Sequence, residues 1–419
     1  MYRRPALFTS YEKESQIFPT WTQKVGVGLL VTILFLMPFD IPVISHIPLV
    51  RFLGDSAWLR LVAQILVFII ASLGLNILSG LGGQVSLGHA FFMGAGACAA
   101  AVVGGESTEQ LWGWGLPIWV WLPAAGIVAG ALGVIVAPVA VRLRGLYLAI
   151  VTLGLVFVGI HLGTMAWGRR VAGAPQVGRS FPELDIRLWK EEEPLINMRR
   201  DTDWFWGLFE ATEEAKRYWL YLVIVIVAAV IAKNIARSRT GRALQAIRDR
   251  DVAAEVMGVP ETKYKVIAFA ISSAYAGVAG ALLAGLSGQL LADGFDLFLS
   301  VEFIAILLIG GAGTVSGTII GSIFVILLPR LLEEFTGWLE EAEGGLFGAI
   351  GDFLLTSGEG DFGVVSTGIQ TQGWPMSIFD WNIALFGVLI VVFLIFEPLG
   401  FFGIWLRIRN YWKGWPFSY

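Results

Sequence analysis

Four polar residues interrupt one apolar stretch. Asn76, Gln84, Ser86 and His89 lie within GLNILSGLGGQVSLGHAFFMGAG, residues 74–96, together with the pair Gly82 and Gly83. A second stretch, GGAGTVSGTIIG at 310–321, carries Gly311, Gly313 and Ser316 and shares the order of paired glycines followed by Val-Ser. Irregular backbone at membrane depth survives only where protein buries it or where it lines a cavity. Glycine-interrupted apolar segments at matching places in two halves of a chain therefore point to a solute pathway. Close helix packing through small residues explains the same glycines equally well. For Gln84 and His89, a hydrogen bond between helices competes evenly with contact to a transported solute.

The second candidate is polar. Residues 238–260 read SRTGRALQAIRDRDVAAEVMGVP between two hydrophobic runs. Thr240 is placed to cap a helix, and Gly258, Val259 and Pro260 to stop it. Ala243, Ile247, Ala254 and Met257 fall near one face at helical spacing, with Arg242, Arg248, Asp249, Arg250, Asp251 and Glu255 around the rest. Two readings stand: an ordinary solvated helix, or a docking element that passes force between a membrane domain and a soluble partner.

Catalytic chemistry is not indicated. The chain has no serine elbow, no HExxH and no close intramembrane pair of aspartates, so an enzyme is not expected. The 310–321 stretch slightly resembles a phosphate loop, but no Lys precedes Thr318 and no soluble strand leads into it. No nucleotide or other cofactor is expected on this chain; if ATP is consumed, another chain binds it. His46, His89 and His161 are scattered, so no metal site is expected, and Cys98 is alone. A proton-coupled carrier would want an embedded carboxylate pair, which is missing.

These residues must be held by helices that cross a bilayer. The chain has 419 residues, of which 56% are hydrophobic and only 15% charged. Its mean hydropathy is +0.72. The charged share is well below that of soluble domains, and 17 Trp suit the two membrane interfaces. Ten apolar runs follow one another: one ending near Phe39, then 58–79, 84–104, 116–141, 145–167, 219–232, 264–288, 299–313, 315–332 and 381–396. The first is read as a retained span, because Pro38, Asp40 and Pro42 follow it rather than a small-residue cleavage site. Crossing the hydrocarbon takes about 20 helical residues, and several runs are shorter. The expectation is an all-α polytopic membrane protein with about 8–10 transmembrane helices, some short or glycine-broken.

Charge sets the orientation. With both termini cytoplasmic, the basic turn Arg142–Arg144, residues 233–265 and the tail with Arg407, Arg409 and Lys413 all fall inside. The segments 168–218 and 333–380 then fall outside as loops. The second holds nine acidic residues and no Lys or Arg. The first, with Trp189, Trp204, Trp206 and, just beyond it, Trp219, is too apolar for a simple linker and reads as a small cap or partner platform.

The motifs together resemble a family. GLNILSGLGGQVSLGHAFFMGAGA at 74–97, LRGLYLAIVTLGL at 143–155 and, most specifically, GRALQAIRDRDVAAEVMGVPETKYKVIAFAISSAYAGVAGAL at 241–282 are similar to permease subunits of branched-chain amino acid ABC importers. The closer likeness is to the LivM type, which includes urea-importer permeases. SVEFIAILLIGGAGTVSGTIIGSIFVILLP at 300–329 and IFEPLGFFGI at 395–404 fit the same pattern, so the resemblance covers about three quarters of the chain.

The resemblance implies a single permease domain over 1–419 in a prokaryotic plasma membrane, forming half of a translocation pore. It implies as partners a second related permease chain, ATPase subunits carrying ATP and Mg, and an extracytoplasmic binding protein. It makes 238–260 the coupling helix that docks into the ATPase, with Ala246, Arg248, Asp249, Ala253, Ala254, Glu255 and Gly258 as its working residues and ion pairs from Arg248 and Glu255. It places 74–97 and 309–321 along the pore. The sequence departs from the family at Phe157 and Ile160, which are apolar where an acidic and a basic residue are common. That leaves the solute open: a branched-chain amino acid by default, with urea, short amides or other amino acids as alternatives. A stand-alone channel or secondary carrier is the rival outside the family, and such a protein has no need of residues 238–260.

Overall fold

The computed structural model describes residues 21–39, 55–143, 145–174, 177–187, 198, 202–204, 209–341, 355–356, 365–366, 384, 387–388, 390–392, 395–397 and 399–414. Within them the chain is overwhelmingly helical. In order come α1 (Trp21–Leu36), α2 (Ser56–Leu75), α3 (His89–Gly104), α4 (Ile118–Arg142), α5 (Leu146–Thr164), α6 (Glu213–Arg237), α7 (Arg239–Val256), α8 (Glu261–Ser287), α9 (Leu297–Gly310), α10 (Val315–Glu341) and α11 (Gly400–Gly414). Among the described residues five segments are long and apolar enough to cross a bilayer: Ser56–Leu81, α4, α5, α6 and α8. Lys24–Leu36, α3 and Val315–Leu331 are shorter apolar helices. This is an all-α polytopic membrane protein. The run at 381–396 lies largely outside the described residues.

The chain divides into two compact units, residues 1–303 and 304–419. In the first, α8 is the hub, and small residues put it there. A Cβ on Gly96 of α3 would collide with the backbone of Gly277, and one on Gly280 would collide with the Met93 carbonyl. On α4, Gly126, Gly130 and Gly133 face Val278, Ala270 and Ser273 of α8. On α2, a Cβ at Gly74 would sit 2.5 Å from Tyr275 Cβ. Without a hydrophobic force between helices in lipid, such backbone approach is what holds spans together. Two tyrosines extend the contacts to neighbouring spans: Tyr221 Oη donates to the Leu282 carbonyl (3.0 Å) and Tyr275 Oη to that of Ala228 (2.8 Å). The outward faces of α4, α5 and α6 carry exposed Ile127, Ile135, Phe157 and Val223, the surface expected against lipid or another chain.

Within 168–218, several described residues make contacts with the spans and with one another. Arg179–Ser180 pairs antiparallel with Gln289–Leu290, and Phe181 meets Trp121 of α4 edge-on at 5.6 Å. Asp185 is buried and accepts from the Met198 amide (2.8 Å). Trp189 and Trp206 lie outside the described residues. Of 333–380, the first residues continue α10 through Glu341 rather than forming a loop, and most of the remainder lies outside the described residues.

In the second unit, Gly310 packs against Gly317 and Gly321, so the end of α9 and the start of α10 make a tight hairpin. Gly311 (φ +107°) and Gly313 (φ +87°) turn the chain through conformations that suit only glycine. Thr314 Oγ1 caps α10 by accepting from the Gly317 amide (3.2 Å). Phe324 meets Phe401 of α11 at 4.8 Å.

Candidate functional site

The first glycine stretch is a true break in a span. α2 begins at an Asp55 cap on the Ala57 amide (3.0 Å) and continues beyond Leu75 as a wider π-helical turn, Asn76–Leu81. Such turns recur at functional positions. It ends at Gly82 and Gly83, the latter at φ +68°. The amides of Gly83 and Gln84 turn back to the carbonyls of Ser79 (3.1 Å) and Leu78 (3.3 Å). Ser79 Oγ donates to the Gln84 carbonyl (2.7 Å). No helix forms from Gln84 to Gly88, and α3 starts at His89.

A helix N-terminus exposes unpaired N–H groups that favour anions. At the entry to α3, acceptors already stand at several of the amides. Thr152 Oγ1 accepts from Leu87 N (3.0 Å), Ser86 Oγ from Gly88 N (3.3 Å) and Ser300 Oγ from Ala90 N (3.0 Å). His89 is buried; its Nε2 lies 2.9 Å from the Ala71 carbonyl of α2, and its ring meets Phe303 edge-on at 5.4 Å. His89 and Ser86 are thus parts of an internal lock. Gln84 is different. Its side chain is 5% exposed, and neither amide atom has a hydrogen-bond partner among the described residues. Asn76 is buried as well. Of the second stretch, Gly311 is buried, Gly313 half-buried and Ser316 exposed on the α10 hairpin.

The polar stretch forms α7, with two departures from the pattern. Ser238, not Thr240, is the cap: its Oγ accepts from the amides of Thr240 (3.2 Å) and Gly241 (3.4 Å) while donating to the Ile235 carbonyl (2.8 Å) at the end of α6. One hydroxyl closes one helix and opens the next. The second departure is a break at Arg250 (φ −155°, ψ 98°), which separates a shaft, 239–249, from a tip, 251–256. The tip ends at Gly258 (φ +82°), with the Gly258 and Val259 amides on the carbonyls of Glu255 and Ala254 (both 2.9 Å).

The break re-aims the side chains. Ala243, Leu244, Ile247 and Ala254 are buried, whereas Met257 is 83% exposed together with Val256 (83%) and Val252 (67%). Met257 leaves the apolar face that helical spacing assigns it: Ala254 keeps to that face beyond the break, but α7 ends at Val256 and Met257 is its C-cap. Ala246, Asp249, Ala253, Glu255 and Gly258 are exposed. Arg248 points the other way: Nη1 donates to the Gly80 carbonyl (2.6 Å), and the guanidinium also lies 3.4 Å from Asp249. Leu244 packs beside Gly82. The predicted coupling residues thus split between an exposed tip and a shaft seated against the break in α2.

An apolar cavity of about 550 Å³ opens between α3, α4 and α5, lined among others by Phe91, Cys98, Trp112, Val156 and Trp167. None of the polar residues singled out at 74–96 lines it. Its walls come from residues that sequence reading treats as ordinary span, and a clustering of Trp near the ends of runs is the one signal that could have found it.

The family model described as branched-chain amino acid transport system / permease component matches residues 57–355. The chain belongs to this family. The high-affinity branched-chain amino acid transport system permease protein LivM of Salmonella typhimurium is 30% identical over 286 residues, which is 67% of this chain and 65% of that protein. The protein of the same name from Escherichia coli is 31% identical over 290 residues, with the same shares. The chain therefore spans just under two thirds of the length of these curated relatives. No solved structure matches it. The matched region runs from α2 past α10 and so includes the break, α7 and the α9–α10 hairpin.

Proposed function

We propose that the chain is a membrane-spanning subunit of an ATP-driven importer for branched-chain amino acids. It forms half of the pore beside a second, related permease chain in a prokaryotic plasma membrane, with both termini cytoplasmic. An extracytoplasmic protein delivers the solute. ATPase subunits bind ATP and Mg, and this chain binds no cofactor of its own. Family membership supports the class. The observation that carries the coupling is the tip of α7, where Val252, Val256 and Met257 stand exposed beside Ala253 and Glu255 on an otherwise polar helix. Three clustered large apolar side chains next to small Ala253 suit the floor of a protein groove, since exposed apolar patches mark interaction sites. A stand-alone channel has no use for such a tip.

The cavity favours an amino acid with an aliphatic side chain over urea, because its walls offer hydrocarbon and few polar groups. The residues of 74–97 and 309–321 act in this reading as the moving and packing parts of the pore, with buried Gln84, whose amide has no partner among the described residues, the side chain that a movement of the break would bring to the solute.

The test is purification in mild detergent with identification of the proteins that follow. Recovery of ATPase chains with wild type, and their loss by tenfold or more in the pair Val256→Glu and Met257→Glu, is the expected result. Replacing two large apolar contacts by charges at a packed interface costs several kcal/mol. Equal recovery with the variant removes the tip from the interface.

A further inference from the structure

We propose that Arg248 is a latch through which α7 holds and moves the broken end of α2. The Gly80 carbonyl lies at the C-terminal end of the π-helical turn, where carbonyls lack partners and the helix dipole is negative. The amide that ordinarily reaches it, Gln84 N, is bonded instead to Leu78. Arg248 supplies the missing donor at 2.6 Å across 168 residues of sequence.

The fit is specific. Gly83 lies against the Arg248 stem so closely that a Cβ there would be 2.6 Å from Cγ and 3.2 Å from Cβ, and its φ of +68° independently favours glycine. Leu244, fully buried and one turn earlier on α7, packs on Gly82. The shaft thus grips Gly80, Gly82 and Gly83 together. A displacement of the shaft cannot leave the break in place without rupturing a charged hydrogen bond and opening a buried contact.

The break also has a reason to move. Gln84 is buried without a partner on either amide atom among the described residues, so the present arrangement leaves hydrogen-bonding capacity unused. An arrangement that brings Gln84 to a partner competes with the one that Arg248 stabilises. Those are the ingredients of a two-position element. The discontinuity at Arg250 separates the exposed tip from the shaft two residues after the latch, so a load on the tip enters the shaft beside Arg248.

The transport arm of this proposal rests on the reading that the α7 tip meets an ATPase; the structural arm does not. Arg248→Met keeps the stem over Gly83 and removes the donor, and Arg248→Lys keeps a charged donor. In the purified full chain, amide hydrogen exchange over residues 78–88 is expected to rise about tenfold or more in Arg248→Met and by less in Arg248→Lys, with α3, α4 and α8 unchanged. Unchanged exchange overturns the latch. If Arg248→Met loosens the whole chain, Gly83→Ala, which pushes the same side chain aside, must reproduce the local rise, and its failure to do so also overturns it.

In the reconstituted complex, Arg248→Met is expected to keep the ATPase bound and hydrolysing while solute moved per ATP falls about tenfold. An unchanged ratio, or loss of the ATPase with unchanged exchange, overturns the proposal. If wild type binds no ATPase, the importer reading fails, and the exchange experiment alone decides whether Arg248 holds the break.

Discussion

Gly96→Ala should loosen the centre of the first unit, and its cost follows from the geometry. The added Cβ would sit 2.6 Å from the Gly277 carbonyl carbon and closer still to that residue's Cα and oxygen. Carbon atoms prefer about 3.5–4.0 Å, so α3 and α8 must part by about 1 Å. No side-chain rotation relieves the clash, because every atom met is backbone. Nor can α8 retreat: a Cβ on Gly277 itself would be 2.5 Å from both the Ala125 carbonyl oxygen and Ala129 Cβ of α4. Overpacking of this kind costs about 1–3 kcal/mol, and backbone contact argues for the upper end. Alanine recovers up to about 1 kcal/mol of helix propensity.

Gly154→Ala on α5 is the matched control, since a Cβ there meets nothing within 4 Å, and it should be neutral or slightly stabilising. The two variants should differ by about 2–3 kcal/mol. At roughly 2 °C per kcal/mol, that separates their apparent melting points in detergent by about 4–6 °C, read as loss of monodisperse protein on heating. If Gly96→Ala melts with Gly154→Ala or above it, the helices are not held at backbone contact and the packing argument is wrong.

Two further substitutions separate structural from solute-binding roles in the break. His89→Phe keeps the edge contact with Phe303 but removes the imidazole's bond to the Ala71 carbonyl. It should cost about 0.5–1.5 kcal/mol of stability while transport per folded molecule stays near wild type; lost transport with intact stability would put the imidazole on the solute path. Gln84→Leu removes a buried amide without partners and should stabilise the chain by about 1–3 kcal/mol while lowering transport. A less stable Gln84→Leu protein means that the amide is already satisfied.

The helices were legible because apolar runs of spanning length have few alternatives. Their interruptions were not equally so. The stretches at 82–86 and 310–316 share paired glycines and a Val-Ser, yet the first breaks a span and the second folds into a hairpin. What differs is the surroundings: Gly310 finds Gly317 and Gly321 close by, whereas Gly83 finds Arg248. The partner of His89 is a backbone carbonyl, a group present at every position, so sequence could mark the imidazole as unusual without choosing Ala71. The hydroxyls that close the α3 N-terminus come from 65 and 210 residues away. At α7, neither Gly nor Pro announces the break at Arg250. A helix continued past Val256 assigns Met257 to the buried face, and nothing in the sequence shows that the Arg248 guanidinium reaches the Gly80 carbonyl rather than a partner.

Where the chain is stiff decides where it can move. α3, α4 and α8 meet through glycines at backbone distance, and close-packed elements shift between discrete arrangements rather than deforming gradually. In the proposed mechanism a force entering at the α7 tip is not absorbed in that block but passes to the segment from Gly80 to Gly88, where helical hydrogen bonding is already broken, the Gln84 amide has no partner among the described residues and Arg248 supplies the partner of the Gly80 carbonyl. Thr152 ties the far side of that segment to α5 through Leu87, and Ser300 and His89 tie the adjoining start of α3 to α9 and α2. Residues 80–84 are therefore the part with one end fixed to the block and the other held by α7, which is the geometry of a lever rather than of a loop. The same glycines that look alike in sequence divide the work: those at 96, 277 and 280 hold α3, α4 and α8 at backbone distance, and those at 82 and 83 let Leu244 and Arg248 of α7 lie against the break.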